Sequence, residues 1–119
     1  MAIILRRRST VLAEACNLAR SRHYTAAACL AKVAVDHAMS DLALAVRPSL
    51  KRFYAGKRLQ GFLRSEQAID AKLAGELSAF ALRAYTLMNE PTGRPVDVQQ
   101  LIVRAADLRR RLRAIQRSL

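Results

Sequence analysis

The sequence predicts an all-α protein: an up-and-down bundle of four main helices plus a short extra helical segment, with residues 1–119 forming a single domain. Apolar residues recur at helical spacing through most of the chain, and no stretch alternates like a strand. Alanine and leucine supply most of the apolar content and tryptophan is absent, which favours helices over sheets. Only four glycines and three prolines occur, so we expect few turns and long elements.

The first two predicted helices span about 9–20 and 24–46. Ser9 or Thr10 is the expected N-cap of the first, and Pro48 ends the second because the residue before a proline avoids helical geometry. The second helix carries a stripe of small residues, Ala27, Ala31, Ala34 and Ala38, beside Leu30, Val33, Val35 and Leu42. Because small residues let helix axes approach closely, we predict that this helix is central and packed on more than one side.

The second half of the chain predicts two long helices and two short pieces. A helical turn at 49–54 and a short helix at 59–63 precede a helix with a capping-like start at Ser65, which runs to Met88 or breaks near Asp70. The turn sequence NEPTGRP follows, and the last helix begins at 96 or 97 with a clean apolar stripe.

The charge balance points to polyanionic partners. The chain carries 21 basic and 9 acidic residues, a net charge of +12. Such an excess attracts nucleic acid first, and an anionic membrane or an acidic protein next. The alternative is an arginine-rich face that is merely solvated.

Several classes of site have no support in the sequence. Cys16 and Cys29 fall on apolar helix faces without metal-ligand spacing, so we expect buried free thiols, no metal and no cofactor. No Walker loop, dinucleotide glycine fingerprint or Ser/His/Asp arrangement occurs, which disfavours an enzyme. The longest apolar run is too short for a membrane span and the start lacks the order of a secretory signal, so we expect a cytoplasmic protein.

The segment 14–42 resembles the first hairpin of HEPN domains (higher eukaryotes and prokaryotes nucleotide-binding). That hairpin has a short basic turn with an aromatic residue, followed by a helix of alanines around an acid. Here the matching positions are Tyr24, Ala27, Ala34, Asp36 and Ala38. The segment 57–112 is similar to the second half of such domains, in which a helix leads through an Asn-containing loop into a closing Leu- and Ile-rich helix.

The resemblance implies a ribonuclease site that has lost its imidazole. Active HEPN domains resemble metal-free ribonucleases with an Arg, four to six residues and then a His, usually at a symmetric dimer interface. In this chain Arg83 precedes Asn89 with five residues between them, and Asn89 stands where the His would fall. An amide cannot act as a general base. Arg83, Asn89 and Asp36 are therefore expected remnants of a family site in a non-cleaving domain.

Asp36 has two interpretations. It is either a buried acid that orients Arg83 across the bundle, or a structural ion pair or partly exposed acid. The histidines give no alternative site: His37 lacks an arginine at the family spacing, and His23 lies in a basic turn that suits phosphate contact or is an ordinary exposed turn.

The strongest polyanion candidate is the segment 47–64, which has six basic residues, no acid and three interleaved aromatics, a mixture that suits single-stranded RNA. The alternative is that the aromatics are core and the charges solvated. The predicted nucleic-acid-binding residues are Arg47, Lys51, Arg52, Lys57, Arg58 and Arg64, with Arg20 and Arg22 in the first turn and Arg110 and Arg113 near the C-terminus.

The sequence thus predicts a small basic non-catalytic domain that binds nucleic acid or a nucleotide, or that partners an RNA-acting effector. A homodimer and a nucleotidyltransferase partner are implied by the resemblance. The alternatives are a toxin-type HEPN ribonuclease that uses Arg83, a structural ribosomal-type RNA-associated protein, and a helical adaptor for an acidic partner.

Overall fold

The computed structural model describes residues 10–50, 57–90 and 95–119. Over these ranges the chain forms five helices and no strand, which confirms the all-α prediction: α1 (Thr10–Arg20), α2 (Tyr24–Val46), α3 (Lys57–Ser65), α4 (Ala71–Asn89) and α5 (Pro95–Arg117). The predicted helical turn at 49–54, together with Lys51 and Arg52, lies largely outside the described residues.

Helix α2 is the centre of the fold, as its alanine stripe predicts. It contacts each of the other four helices, and α5 packs on α1, α2 and α4. Ala27 and Ala31 are fully buried, and Ala34 and Ala38 are at most 2 % exposed. Because a methyl group is the only side-chain bulk along this stripe, neighbouring helices can approach α2 closely.

Helices α1 and α3 end in the same way, although neither has a glycine at its end. Arg22 and Gln67 both adopt left-handed backbone geometry, with φ of 64° and 59°. The next amide in each case reaches back over the last turn: His23 N donates to Leu18 O at 2.8 Å, and Ala68 N donates to Leu63 O at 2.9 Å. This is the Schellman arrangement, in which glycine is the usual left-handed residue because other residues pay a steric penalty there.

The boundary between α3 and α4 corrects one prediction. Ser65 does not start a helix but ends α3, and its Oγ donates to Phe62 O at 2.9 Å. The N-cap of α4 is Asp70, whose carboxylate accepts a hydrogen bond from Leu73 N at 2.7 Å. The predicted alternative of a break near Asp70 is therefore the one that forms, because the carboxylate satisfies an amide that the first turn leaves free.

The core is built mainly from alanines and leucines, and its largest fully buried side chains include Leu42, Leu63, Leu77, Leu87, Leu108 and Leu112. The prediction of two buried thiols is wrong for Cys29, which is exposed, while Cys16 is half-buried; both thiols are free. Among the described helices, none combines the length and apolar character that crossing a membrane requires.

Candidate functional site

The acidic side chains are largely consumed by ion pairs within the protein. All nine Asp and Glu side chains lie in the described ranges, and six of them face a Lys or Arg of those same ranges within 4.0 Å. Their partners are Lys32, Arg47, Arg83, Arg104, Arg110, Arg111 and Arg113. The excess positive charge is therefore carried by other residues, and where those residues lie decides which surface attracts an anion.

Helix α3 concentrates this unpaired charge on one face. Lys57, Arg58 and Arg64 are exposed, and none of them pairs with a carboxylate in the part of the chain that the structure describes. At 3.6 residues per turn, Lys57, Gly61 and Arg64 lie along one line, with Arg58 beside it. The opposite side of the helix is anchored by Leu59 and Leu63, which are at most 2 % exposed. We call the exposed side, formed by Lys57, Arg58, Gly61 and Arg64, the α3 face.

Gly61 lies in the middle of the α3 face and leaves it flat. A Cβ placed on Gly61 would meet nothing within 4 Å, so packing does not require a glycine there. Since glycine in a helix interior is unfavourable by about 1 kcal/mol relative to alanine, the residue weakens α3 without any compensating contact among the described residues. With glycine at 61, no side chain projects between Lys57 and Arg64 on the line that they share along the helix.

Arg47 lies at the edge of this surface but is already engaged. Its guanidinium lies 5.2 Å from the centroid of the Phe62 ring and also forms an ion pair with Glu66. Phe62 is half-buried against the core. The interpretation of this aromatic as core is thus supported in part, while Lys51, Arg52, Phe53 and Tyr54 lie outside the described residues.

The other predicted nucleic-acid-binding residues fall into two groups. Arg20 and Arg22 are exposed in the turn between α1 and α2, next to the exposed His23. Arg110 pairs with Asp107 one turn before it, and Arg113 lies 3.1 Å from Asp41 of α2. Compensation by these carboxylates weakens the attraction of the last two for an anion.

The predicted remnants of the family site have separate partners. Arg83 Nη2 lies 3.2 Å from Asp97 of α5, whereas Asp36 pairs with Lys32 on its own helix at 2.7 Å. Asn89 uses its side-chain amide to donate to Tyr85 O at 2.8 Å. The interpretation of Asp36 as a partly exposed structural ion pair agrees with this geometry, and the contact between Asp36 and Arg83 is not formed.

His37 lies on α2, and the sequence assigns it no role. The residue is half-buried, and its Nδ1 is buried without a hydrogen-bond partner among the described residues. No arginine precedes it at the spacing of the family motif.

A cleft of about 750 Å³ lies between the α3–α4 turn and the last turns of α5. Arg64 and Gln67 line one side of it and Arg111 lines the other, while Ile69 and Ile115 contribute apolar surface. Sequence reasoning missed this cleft. The left-handed turn at Gln67 that shapes it has no glycine signal, and α5 is distant in the chain.

Arginines of α5 lower the pKa of two carboxylates that contact Arg111, a residue of the cleft wall. The hydrogen bond from Arg111 lowers the pKa of Glu76, and the one from Arg110 lowers the pKa of Asp107. The same contact with Glu76 raises the pKa of Arg111, so its guanidinium remains charged. No group of three or more His, Cys, Asp or Glu able to hold a metal ion occurs within the described ranges.

The chain was compared with protein-family models, with curated proteins and with solved structures, and none of them matches it. The α3 face and the neighbouring cleft are the features of the structure that bear on function.

Proposed function

We propose that this protein is a small non-catalytic helical domain that binds RNA or a related polyanion through the α3 face. The observation that carries the proposal is the separation of charge: six of nine carboxylates are paired with cations elsewhere, and α3 carries three cations and no acid. Uncompensated cations on one face attract a phosphate backbone, and the release of counterions from that backbone drives binding.

Single-stranded RNA is the polyanion that this surface favours. Lys57 and Arg58 lie about two helix turns before Arg64, so these cations can contact several phosphates of a flexible backbone. Duplex recognition would require an element that enters a groove, and α3 is only nine residues long and lies against α2 and α4.

We also propose that the protein is a degenerate HEPN-like domain of the cytoplasm. Its four main helices would run in up-and-down order. The absence of cleavage is supported by the chemistry of the described residues. Asn89 has an amide where the family has an imidazole, and Arg83 is paired with Asp97. RNA incubated with the protein should stay intact, and cleavage that Arg83→Ala abolishes would favour the toxin-type ribonuclease instead.

We further propose that the protein forms a homodimer, or a complex with an RNA-acting effector such as a nucleotidyltransferase. A chain with net charge +12 can meet a copy of itself only where its own charges are compensated. The groove between α4 and α5 meets this condition, because Arg83 of α4 pairs there with Asp97 of α5. Mass measurement by light scattering at several salt concentrations tests self-association.

The binding test is the salt dependence of affinity for a fluorescent single-stranded RNA. Lys57→Gln, Arg58→Gln and Arg64→Gln are combined in one variant. If each cation neutralises one phosphate, the slope of log affinity against log salt should fall in magnitude by about 2, since each single-strand contact contributes about 0.7.

The matched control removes the same charge from paired arginines, through Arg83→Gln, Arg104→Gln and Arg110→Gln. Its slope should change much less, because the partner carboxylates already cancel these charges. Equal losses in the two variants would mean that net charge alone attracts RNA, which would contradict the proposed face. If the protein bound an acidic protein but not RNA, the alternative of a helical adaptor would be favoured.

A further inference from the structure

We infer that the cleft beside the α3–α4 turn is a pocket for one nucleobase of an RNA whose phosphates lie on the α3 face. The inference deepens the proposed function and rests on it. Arg64 belongs to both features: it is one of the three cations of the α3 face, and it lines the cleft. An RNA strand bound along α3 would therefore pass the mouth of the cleft.

Apolar side chains form part of the wall of the cleft, beside the polar Arg64, Gln67 and Arg111. Ile69 is 4 % and Leu73 is 5 % exposed, and Ile115 packs half-buried against the same core. An open apolar surface within such a basic protein suits a ligand that is flat and apolar at one end and anionic at the other. A nucleobase with its phosphate has this character, whereas a simple anion would leave the apolar part of the cleft empty.

Arg111 supplies a fixed plane on the far side of the cleft. Its guanidinium donates to Glu76 at 2.6 Å and lies 3.6 Å from Asp107, so two carboxylates orient it. A guanidinium held in this way can stack on a base without first losing side-chain freedom. Asp70 also lines the cleft, but its carboxylate accepts the hydrogen bond from Leu73 N as the N-cap of α4.

Gln67 adds hydrogen-bonding capacity at the rim. Its exposed side chain has both a donor and an acceptor, which is what the edge of a base requires. Its left-handed backbone, at φ 59°, is a geometry that glycine adopts at lower cost. A residue that strains the turn where glycine would relax it is the expected result if the amide side chain binds the ligand.

The test compares two probes of equal charge: a 12-nucleotide oligoadenylate and an abasic ribose-phosphate chain of the same length. One inserted base should make the oligoadenylate bind about fivefold tighter or more. Ala114→Leu, at an exposed cleft position on α5, should obstruct the cleft without adding an aromatic ring, and should reduce this preference while affinity for the abasic chain stays unchanged. Ala106→Leu, exposed on the same helix outside the cleft, should preserve the preference.

The outcomes separate the two proposals. If wild-type protein binds both probes equally, or if Ala114→Leu keeps the full preference, the base pocket is wrong while phosphate binding by α3 stands. If neither probe binds at low salt, the proposed function is wrong, and titration with adenosine monophosphate then decides the cleft. Shifts of the Ile69 and Ile115 methyl signals in NMR spectra would support a nucleotide pocket without polymer binding, and unchanged signals would end it.

Discussion

Arg111 Nη2 lies 2.6 Å from Glu76 Oε2, and this contact joins the second half of α5 to the first half of α4. Near the opposite ends of the same helices, Arg83 of α4 meets Asp97 of α5 at 3.2 Å. The late part of α4 thus faces the early part of α5, so the two helices run antiparallel. Ion pairs fix their relative position on the surface, above a core of leucines.

The Arg111–Glu76 contact predicts an acid-sensitive stability. The pKa of Glu76 is lowered in the folded protein from its ordinary value of 4.5, mainly by the hydrogen bond from Arg111. A lowered folded-state pKa contributes stability that is fully present above the unfolded value and is lost as the pH falls through the folded value. The melting temperature, followed by circular dichroism, should therefore fall as the pH is lowered through and below the ordinary Glu pKa of 4.5.

Arg111→Met should flatten this pH dependence, because the partner that lowers the pKa of Glu76 is gone. Arg109→Met on the same helix is the control, since Arg109 forms no ion pair with a described carboxylate. A pH profile that Arg111→Met leaves unchanged would place the acid sensitivity elsewhere.

Enlarging the alanine stripe of α2 should destabilise the protein. Ala31 is fully buried on the helix that contacts all four others, so Ala31→Leu adds volume that the packing cannot accept. We expect a loss of about 1–3 kcal/mol in the free energy of unfolding, measured with urea. Ala26→Leu, on an exposed side of the same helix, should have little effect. Equal effects of the two changes would show that α2 is not closely packed.

How far the sequence predicts this fold depends on whether the signal is local. The Ala27–Ala38 stripe repeats along one helix, so its burial follows from periodicity alone. The α3–α4 boundary is harder, because both Ser65 and Asp70 are good N-caps and only packing selects between them. Ion pairs divide in the same way: Arg110 and Asp107 are one turn apart, but Arg113 and Asp41 meet only once the helices have packed.

The candidate site was predicted in outline. The run of cations over 47–64 is visible in the sequence, but whether each cation has a carboxylate partner depends on tertiary contacts. The apolar part of the cleft could not be predicted, since Ile69 and Ile115 lie far apart in the chain. The left-handed backbone geometry at Gln67 could not be predicted either, because the sequence signals for such geometry are glycine and asparagine.

Replacing the left-handed residues by glycine should stabilise the protein. Arg22→Gly and Gln67→Gly should each raise the free energy of unfolding by about 1 kcal/mol, because glycine has no Cβ to clash at positive φ. Gln99→Gly is the matched control: Gln99 is an exposed residue within α5, and the same change there should destabilise by about 1 kcal/mol. Opposite signs for the two glutamine positions, measured by urea unfolding, would establish the strain.

Gly61 should separate folding from binding. Gly61→Ala and Gly75→Ala should each increase stability by about 0.5–1 kcal/mol, since both glycines are within helices and an added Cβ meets nothing within 4 Å. Gly61→Glu places a carboxylate among the cations of the α3 face and should weaken RNA binding strongly. Gly75→Glu, which makes the same change on α4, should weaken it far less. Fluorescence anisotropy measures both affinities.

The missing side chain at Gly61 has a consequence for how this surface would look across a saturating mutational scan. Most positions of a small helical domain tolerate or reject a substitution for a single reason, the integrity of the fold. At position 61, bulky replacements would instead give protein that is well expressed but binds RNA poorly. Glycine at this position, which lowers the stability of its own helix, would then be required for binding and not for folding.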